Sequence, residues 1–304
     1  MNAHSAGSGG NAELREFLRS RRARITPAEA GLSPQPGPRR VPGLRREEVA
    51  QLAGVSVDYY IRLERGRDVN VSDSVLDALA RALRLNDTER GHLYAVARPV
   101  RAPRRPIPPQ RVRPGVHRVL EALHDTPAVV IGRRLDVLAG NRMAYALFPD
   151  FGALSHRERN YARYVFLHEG ARELYVDWEA AGRATVASLH LYAGRFPHDP
   201  LLAELTDELA RRDPDFRRWW EEHDVLRQAY GSKSLRHPIV GDLTLEYEAL
   251  IVTDDPEQSL GLYTAEPGSP SEHGLRLLAE WAADPSGGAV RTAPSRTDAA
   301  TVDG

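Results

Sequence analysis

The side chains best suited to chemistry in this chain crowd into the stretch Leu44–Gly66 and the residues around it. Val57, Asp58, Tyr59 and Arg62 are spaced to share the outer face of one short helix, and such a set can read DNA base edges. Arg62 can make a bidentate contact to guanine, and Tyr59 or Val57 can meet a thymine methyl. Asp58 would be repelled by phosphate, so near DNA it must meet a cytosine amino group or serve the positive end of its own helix. Arg65 and Arg67 follow the helix end, where a guanidinium reaches phosphates and fixes register rather than sequence. Ser56 opens the helix, and Arg45 precedes the helix before it. Arg39 and Arg40 lie in a Pro- and Gly-rich segment that reads equally as a phosphate-meeting arm or as a solvated insertion.

Two short helices must hold that face. Val49, Leu52 and Ala53 form one apolar stripe at i, i+3 and i+4. Gly54 follows, where a chain leaving a helix needs positive φ. Ser56 is placed to cap the next helix, in which Tyr60 and Leu63 turn inward with Val55. Helices joined this way around a Gly-containing turn are a helix-turn-helix, whose second helix enters the major groove.

Composition agrees with a polyanion partner for the front half only. Up to Arg113 there are 21 arginines against 12 acidic residues; beyond it, 20 basic residues face 30 acidic ones. Two modules with different partners follow from that asymmetry. Of 41 basic residues only Lys233 is lysine. Cysteine is absent, which excludes disulfides and thiolate metal sites and fits a reducing cytoplasm. No apolar run approaches the ~20 residues that span a bilayer, and Met1–Asn11 lacks the basic-then-apolar order of a signal peptide. A cytoplasmic, nucleoid-associated protein is expected.

The back half carries aromatic rings that could wall an apolar pocket, with a few polar groups to anchor a ligand. The candidates are Asn141, Arg142, Tyr145, Phe166, Trp178, His190, Trp220, His223, Tyr247 and Tyr263, with Arg195 a further cation. At helical or strand spacing most such rings belong to a core. His223-Asp224, His237, Glu246 and Glu248 invite a metal or hydrolase reading. Yet no His-Glu-x-x-His, Gly-x-Ser-x-Gly or phosphate-cradling glycine loop is present, so neither catalysis nor a metal is expected.

The elements fall into an ordered plan. Residues 1–11 read as a disordered tail. A helix from Ala12 is stopped by Pro27, a long Pro/Gly loop runs from Thr26 to Gly43, and helices from Ser72 or Asp73 and from Asp87 complete a five-helix domain over 12–98. The Pro- and Arg-rich run 99–115 reads as a semi-rigid linker, making 12–98 an independently folding module. Residues 116–283 form a second domain. It opens with a helix from Val116, then strands over 128–132 and 135–139 around an Arg133-Arg134 turn, then a helix over 141–148. Helical spacing runs through 158–167, 171–192, 201–211 and 216–223. Strands over 234–237, 243–252 and 259–264 and a helix over 275–281 follow, and 284–304 reads as tail. Strands at both ends without βαβ alternation predict an α+β antiparallel sheet with inserted helices.

Ala50–Gly66 resembles the Cro/repressor-type (XRE) helix-turn-helix regulators. The longer strings Arg40–Ala50 and Val55–Tyr60 resemble the MmyB-like transcription regulators of actinobacteria. So do Leu135–Asn141, Asp177-Trp178-Glu179, His237–Leu245 and Tyr263–Ser269. The resemblance covers about residues 13–281. It implies an all-α Cro-type domain followed by a PAS-like domain able to hold a fatty-acid-like ligand, and no other cofactor. Family members often carry Trp where this chain has Gly140, which changes the expected wall beside Asn141. The sequence therefore predicts a DNA-binding transcriptional regulator, homodimeric on its double-stranded operator, that senses a small apolar molecule. The alternative is a second domain serving only dimerisation or a protein partner.

Overall fold

The computed structural model describes residues 8–32, 43–67, 71–98, 109–225 and 229–283. Arg39 and Arg40 lie outside them. The first domain contains α1 (Ser8–Arg24), α2 (Arg46–Ala53), α3 (Val57–Glu64), α4 (Asp73–Ala82) and α5 (Asp87–Ala97). Helix α1 begins four residues inside the stretch expected as tail. Each later start has a local cause: Ser56, Ser72 and Asn86 accept from Tyr59, Val75 and Glu89 backbone N–H groups, satisfying amides that open a helix without partners. Gly54 ends α2 at φ 66°, a left-handed turn. Gly43 has a steric reason. A Cβ there would sit 2.5 Å from the Ala23 carbonyl oxygen, so only glycine lets the chain re-enter beside α1.

Phe17, Leu18, Val49, Tyr60, Leu63, Leu76, Leu79 and Leu93 fill this core. One charge is buried with them. Glu64 is 2% exposed, receives the Arg22 guanidinium at 2.7 Å and pairs with Arg46. The C-terminal end of α3 is thereby tied to α1 and α2 at once. A buried carboxylate is tolerable only when paired in this way.

The second domain contains α6 (Pro114–Ala122), β1 (Ala128–Ile131), β2 (Val137–Gly140), α7 (Arg142–Leu147), α8 (Tyr161–Leu167), α9 (Glu169–Leu174), α10 (Trp178–Arg195), α11 (Pro200–Arg212), α12 (Pro214–Glu221), β3 (Tyr230–His237), β4 (Gly241–Ile251), β5 (Ser259–Thr264) and α13 (Pro270–Ala283). The five strands form one antiparallel sheet in the order β2-β1-β5-β4-β3, the PAS-like α+β arrangement. Most helices pack on one face, around Val129, Leu189, Phe216, Leu245 and Tyr263. Leu120 of α6 joins Ala128 and Val130 on the other face.

Two expected boundaries shift for identifiable reasons. The helical run 171–192 is broken because Tyr175 forms a β-bridge with Leu235 and the Val176 amide donates to the Ser234 carbonyl. Asp177 then restarts the helix by accepting from the Ala180 amide. Strand β2 starts at Val137 rather than at 135, because Arg134 and Leu135 take positive φ. The Arg134 guanidinium there is held by Asp136 and Asp199 at 2.8 and 2.7 Å.

The two domains are docked rather than merely tethered. Helix α5 packs on α10, and Val225 of the second domain sits in the core of the first. Arg21, 2% exposed, donates to the His223 carbonyl at 2.6 Å and to Asp224 at 3.2 Å, with Glu89 at 3.2 Å.

Leu63 is fully buried between the first-domain helices. Leu63→Ala should therefore lower stability by about 2–5 kcal/mol. Chemical denaturation of the whole chain measures it, and a cost below ~1 kcal/mol would refute this packing of α3.

Candidate functional site: a DNA-reading helix and an apolar cavity

Helix α3 presents the face that the spacing predicts. Val57 is 41% exposed, Asp58 and Arg62 are exposed, and Tyr59 is half-buried. The Arg62 guanidinium lies 5.7 Å from the centre of the Tyr59 ring, so the two side chains form one surface. Ser56 caps the helix through its Oγ, 3.2 Å from the Tyr59 amide. Asp58 stands in the first turn, where its charge favours the helix dipole. Arg65 closes the helix and Arg67 follows, both exposed. Arg45 flanks α2, with its guanidinium 4.0 Å from Glu47.

The second domain carries a cavity of about 560 Å³ between the sheet and α10, open to solvent on one side, within the roughly 300–1,000 Å³ of small-molecule pockets. Strand alternation builds one wall: Tyr247, Ala249 and Ile251 of β4 face inward together, beside Val129, Ile131 and Tyr263. Small α10 residues, Ala184, Thr185 and Ser188, build the opposite wall. The hydroxyls of Thr185 and Ser188 donate to the helix's own carbonyls at 2.7 and 2.8 Å, which leaves that wall largely apolar.

Four charged residues line the cavity: Arg134, Arg195, Lys233 and Glu257. Arg134 is held by Asp136 and Asp199, and Arg195 by Glu257 at 2.6 Å. Lys233 of β3 has no carboxylate of the described residues within ion-pair distance. Its Nζ lies 3.5 Å from the Tyr161 hydroxyl and 5.1, 5.7 and 5.8 Å from the ring centres of Tyr247, Tyr161 and Tyr175, inside cation–π range. Those rings offer no negative charge: burial pushes the Tyr247 phenol up to about 12 and raises Tyr175 and Tyr263 further. Sequence reasoning passed Lys233 over. Its signal was its rarity, one lysine in a chain that otherwise uses arginine.

Of the other candidates, Tyr247 and Tyr263 line the cavity, as does Arg195. The rest do not. Asn141 is buried, accepting from the Ala128 and Ala144 amides and donating to the Leu123 and Thr126 carbonyls; its polar atoms are spent on backbone. Arg142 is exposed in a separate recess beside His117. The Tyr145 ring packs 2.8 Å from where a Cβ on Gly140 would stand. Gly140 therefore makes room for Tyr145, and its lack of a side chain does not enlarge the main cavity. Phe166 and Trp178 belong to an aromatic cluster with Phe216 and Trp219, and Trp178 Nε1 donates to the Val165 carbonyl.

Trp220, His190 and His223 sit instead at the domain junction. The Trp220 ring stacks on His190 at 3.8 Å. Both histidines, with His92 of α5, face Glu13 of α1. Burial alone would raise the Glu13 carboxyl, but the facing imidazoles outweigh it and hold the group well below the usual carboxylate range. Burial holds His92 below its ordinary value.

Among the described residues, no helix is long and apolar enough to cross a membrane. A search of curated proteins finds no match. Two family models do match: Helix-turn-helix domain over residues 13–93, and MmyB-like transcription regulator ligand binding domain over residues 112–278. The second covers more than half of the chain and contains the whole sheet and cavity. With a helix-turn-helix domain in front and a ligand-binding-domain fold with a largely apolar cavity behind, this DNA-binding transcription regulator belongs to the MmyB-like family.

Proposed function

We propose that the protein is a one-component sensor: a fatty-acid-like molecule in the cavity changes how tightly α3 holds its operator. The observation that carries this reading is Lys233, a cation facing an apolar cavity with no carboxylate beside it among the described residues. A long acyl chain would satisfy the apolar walls, and its carboxylate would satisfy Lys233 and the Tyr161 hydroxyl. Helix α10 supplies the coupling. One of its faces walls the cavity, and another receives α5 of the DNA-binding domain. A ligand that prefers one position of α10 thereby prefers one placement of the DNA-binding domain. Helix-turn-helix regulators read two half-sites with two copies, so a homodimer is the DNA-bound form in this reading.

Delipidated protein should be stabilised by C12–C16 fatty acids, by about 2.7 kcal/mol when free ligand is 100 times its dissociation constant. Lys233→Met should weaken that binding by about 1.5–3 kcal/mol, the range for a hydrogen bond to a charged group, while leaving methyl esters unaffected. Thermal shift and titration calorimetry read both. No shift with any acyl chain would leave the second domain as a dimerisation or partner-binding module. Stabilisation without altered operator affinity would make the lipid structural.

On the DNA side, Arg62→Ala should lower specific affinity by about 1–3 kcal/mol and relax preference at one base pair. Equal loss on every sequence would make Arg62 a phosphate contact.

A further inference from the structure

Four side chains that are remote in sequence meet at the junction of the two domains. Glu13 comes from α1 and His92 from α5. His190 comes from α10, and His223 from the turn after α12. A single oxygen, Glu13 Oε1, lies 3.4 Å from His190 Nδ1, 3.7 Å from His92 Nε2 and 3.8 Å from His223 Nδ1. None of these four atoms is exposed to solvent, and none has a hydrogen-bond partner.

Hydrogen bonding alone accounts poorly for the arrangement. The separations exceed the 2.7–3.2 Å of N–H···O bonds, and three donors on one carboxylate oxygen exceed its two lone pairs. His190 sharpens the argument. Its Nε2 lies 2.8 Å from the Trp220 carbonyl oxygen, which can only accept, so the proton is on Nε2. In a neutral ring Nδ1 then points a lone pair at a carboxylate. Either a second proton on His190 or a cation between the two relieves that opposition.

A metal ion supplies that charge and fits the spacing. Ligands about 2.0–2.2 Å from a tetrahedral ion stand roughly 3.3–3.6 Å from one another, close to the three separations observed. The ligand atoms of Glu13, His190 and His223 all lie within 4.8 Å of one another. The Nε2–H of His190 on a backbone carbonyl is the outer contact that commonly orients a ligating imidazole. Imidazoles with one carboxylate suit Zn²⁺ and its neighbours among the transition metals.

We propose that Glu13, His190 and His223 form a divalent transition-metal site of the zinc type that fastens the DNA-binding domain to the ligand-binding domain, with His92 beside it, facing the same Glu13 oxygen at 3.7 Å. The sequence pointed to His223 beside Asp224 but not to this grouping, since no two of the ligands lie within metal-motif spacing. Gly194 is part of the fit: a Cβ there would come within 2.4 Å of His92 Cε1. The bare glycine admits the His92 ring between the helices.

The test uses the full-length chain, stripped with chelator and titrated with Co²⁺ and then Zn²⁺. One equivalent of Co²⁺ should bind with the visible bands of a four-coordinate site, be displaced by Zn²⁺, and raise the unfolding temperature. Glu13→Gln preserves shape, and His223→Asn suits a position at φ 52°. Each should weaken Co²⁺ binding by about tenfold or more, while exposed His117→Ala should not. Circular dichroism confirms that each variant is folded, and His92→Asn replaces any variant that is not. Failure to bind a stoichiometric ion overturns the proposal, as does binding that survives Glu13→Gln and His223→Asn. Neither result bears on fatty-acid binding, which the cavity residues decide.

Discussion

The close packing of α5 against α10 is the contact on which the rest of the molecule depends. The two helices approach at Gly194, where any side chain would occupy the space of the His92 ring. Around that point α10 has no face to spare. Val186, Leu189 and Ala193 enter the domain core. Ala184, Ser188, Leu191 and Tyr192 line the cavity, and His190 faces α1. A helix enclosed on several sides loses the one-sided apolar stripe of a surface helix. It also cannot move on one side without disturbing the others, because packed interiors have little free volume to absorb a shift.

What lies across the junction is mostly charged or polar, and this sets how firmly the domains are held. Arg21 is buried against Asp224, Glu89 and the His223 carbonyl, and Arg24 pairs with Asp224. Such pairs recover little beyond the cost of removing their charges from water. An apolar interface of the same extent would bind more tightly and with less regard for geometry. Polar inter-domain contacts are the kind that permit relative motion. Val225 in the first-domain core and Val96 against Gly194 are apolar contacts across it. The docking is therefore specific in position and moderate in strength.

The sequence made the local physics legible and left the long-range physics dark. Gly54, Ser56 and the inward Tyr60 and Leu63 were readable because caps, turns and helical faces depend on residues a few positions apart. The antiparallel sheet was readable from strands at both ends of the domain without βαβ alternation, and strand 259–264 needed no correction. The break at Tyr175 was not, because it is imposed by β3, some sixty residues later. The same holds for the cavity. Rings at helical spacing show that a residue is inside but not which inside, so Phe166 and Trp178 resolve into core while Tyr247 and Tyr263 face the cavity. His190 and His223 serve the domain junction, which no local pattern could show. Arg39 and Arg40 remain expectations outside the described residues.

Lys233 shows why composition can carry functional information that spacing does not. A guanidinium is planar, spreads its charge and stacks flat on aromatic rings, whereas an ammonium is a compact charge on a flexible stem. Among Tyr161, Tyr175 and Tyr247 an arginine would stack on one ring and extend its fork across the cavity, taking apolar space from a ligand. The lysine keeps its charge at one point among the tyrosines. It leaves the walls formed by Val129, Ile131, Ala249 and Ile251 clear. That point charge stands at the β3–β4 pairing, where Lys233 lies opposite Leu245, on the sheet side of the cavity, while small residues of α10 form the opposite wall. In the proposed sensor, Lys233 would fix one end of a bound acyl chain and the remaining length would lie against α10, so ligand size would be what reaches the DNA-binding domain.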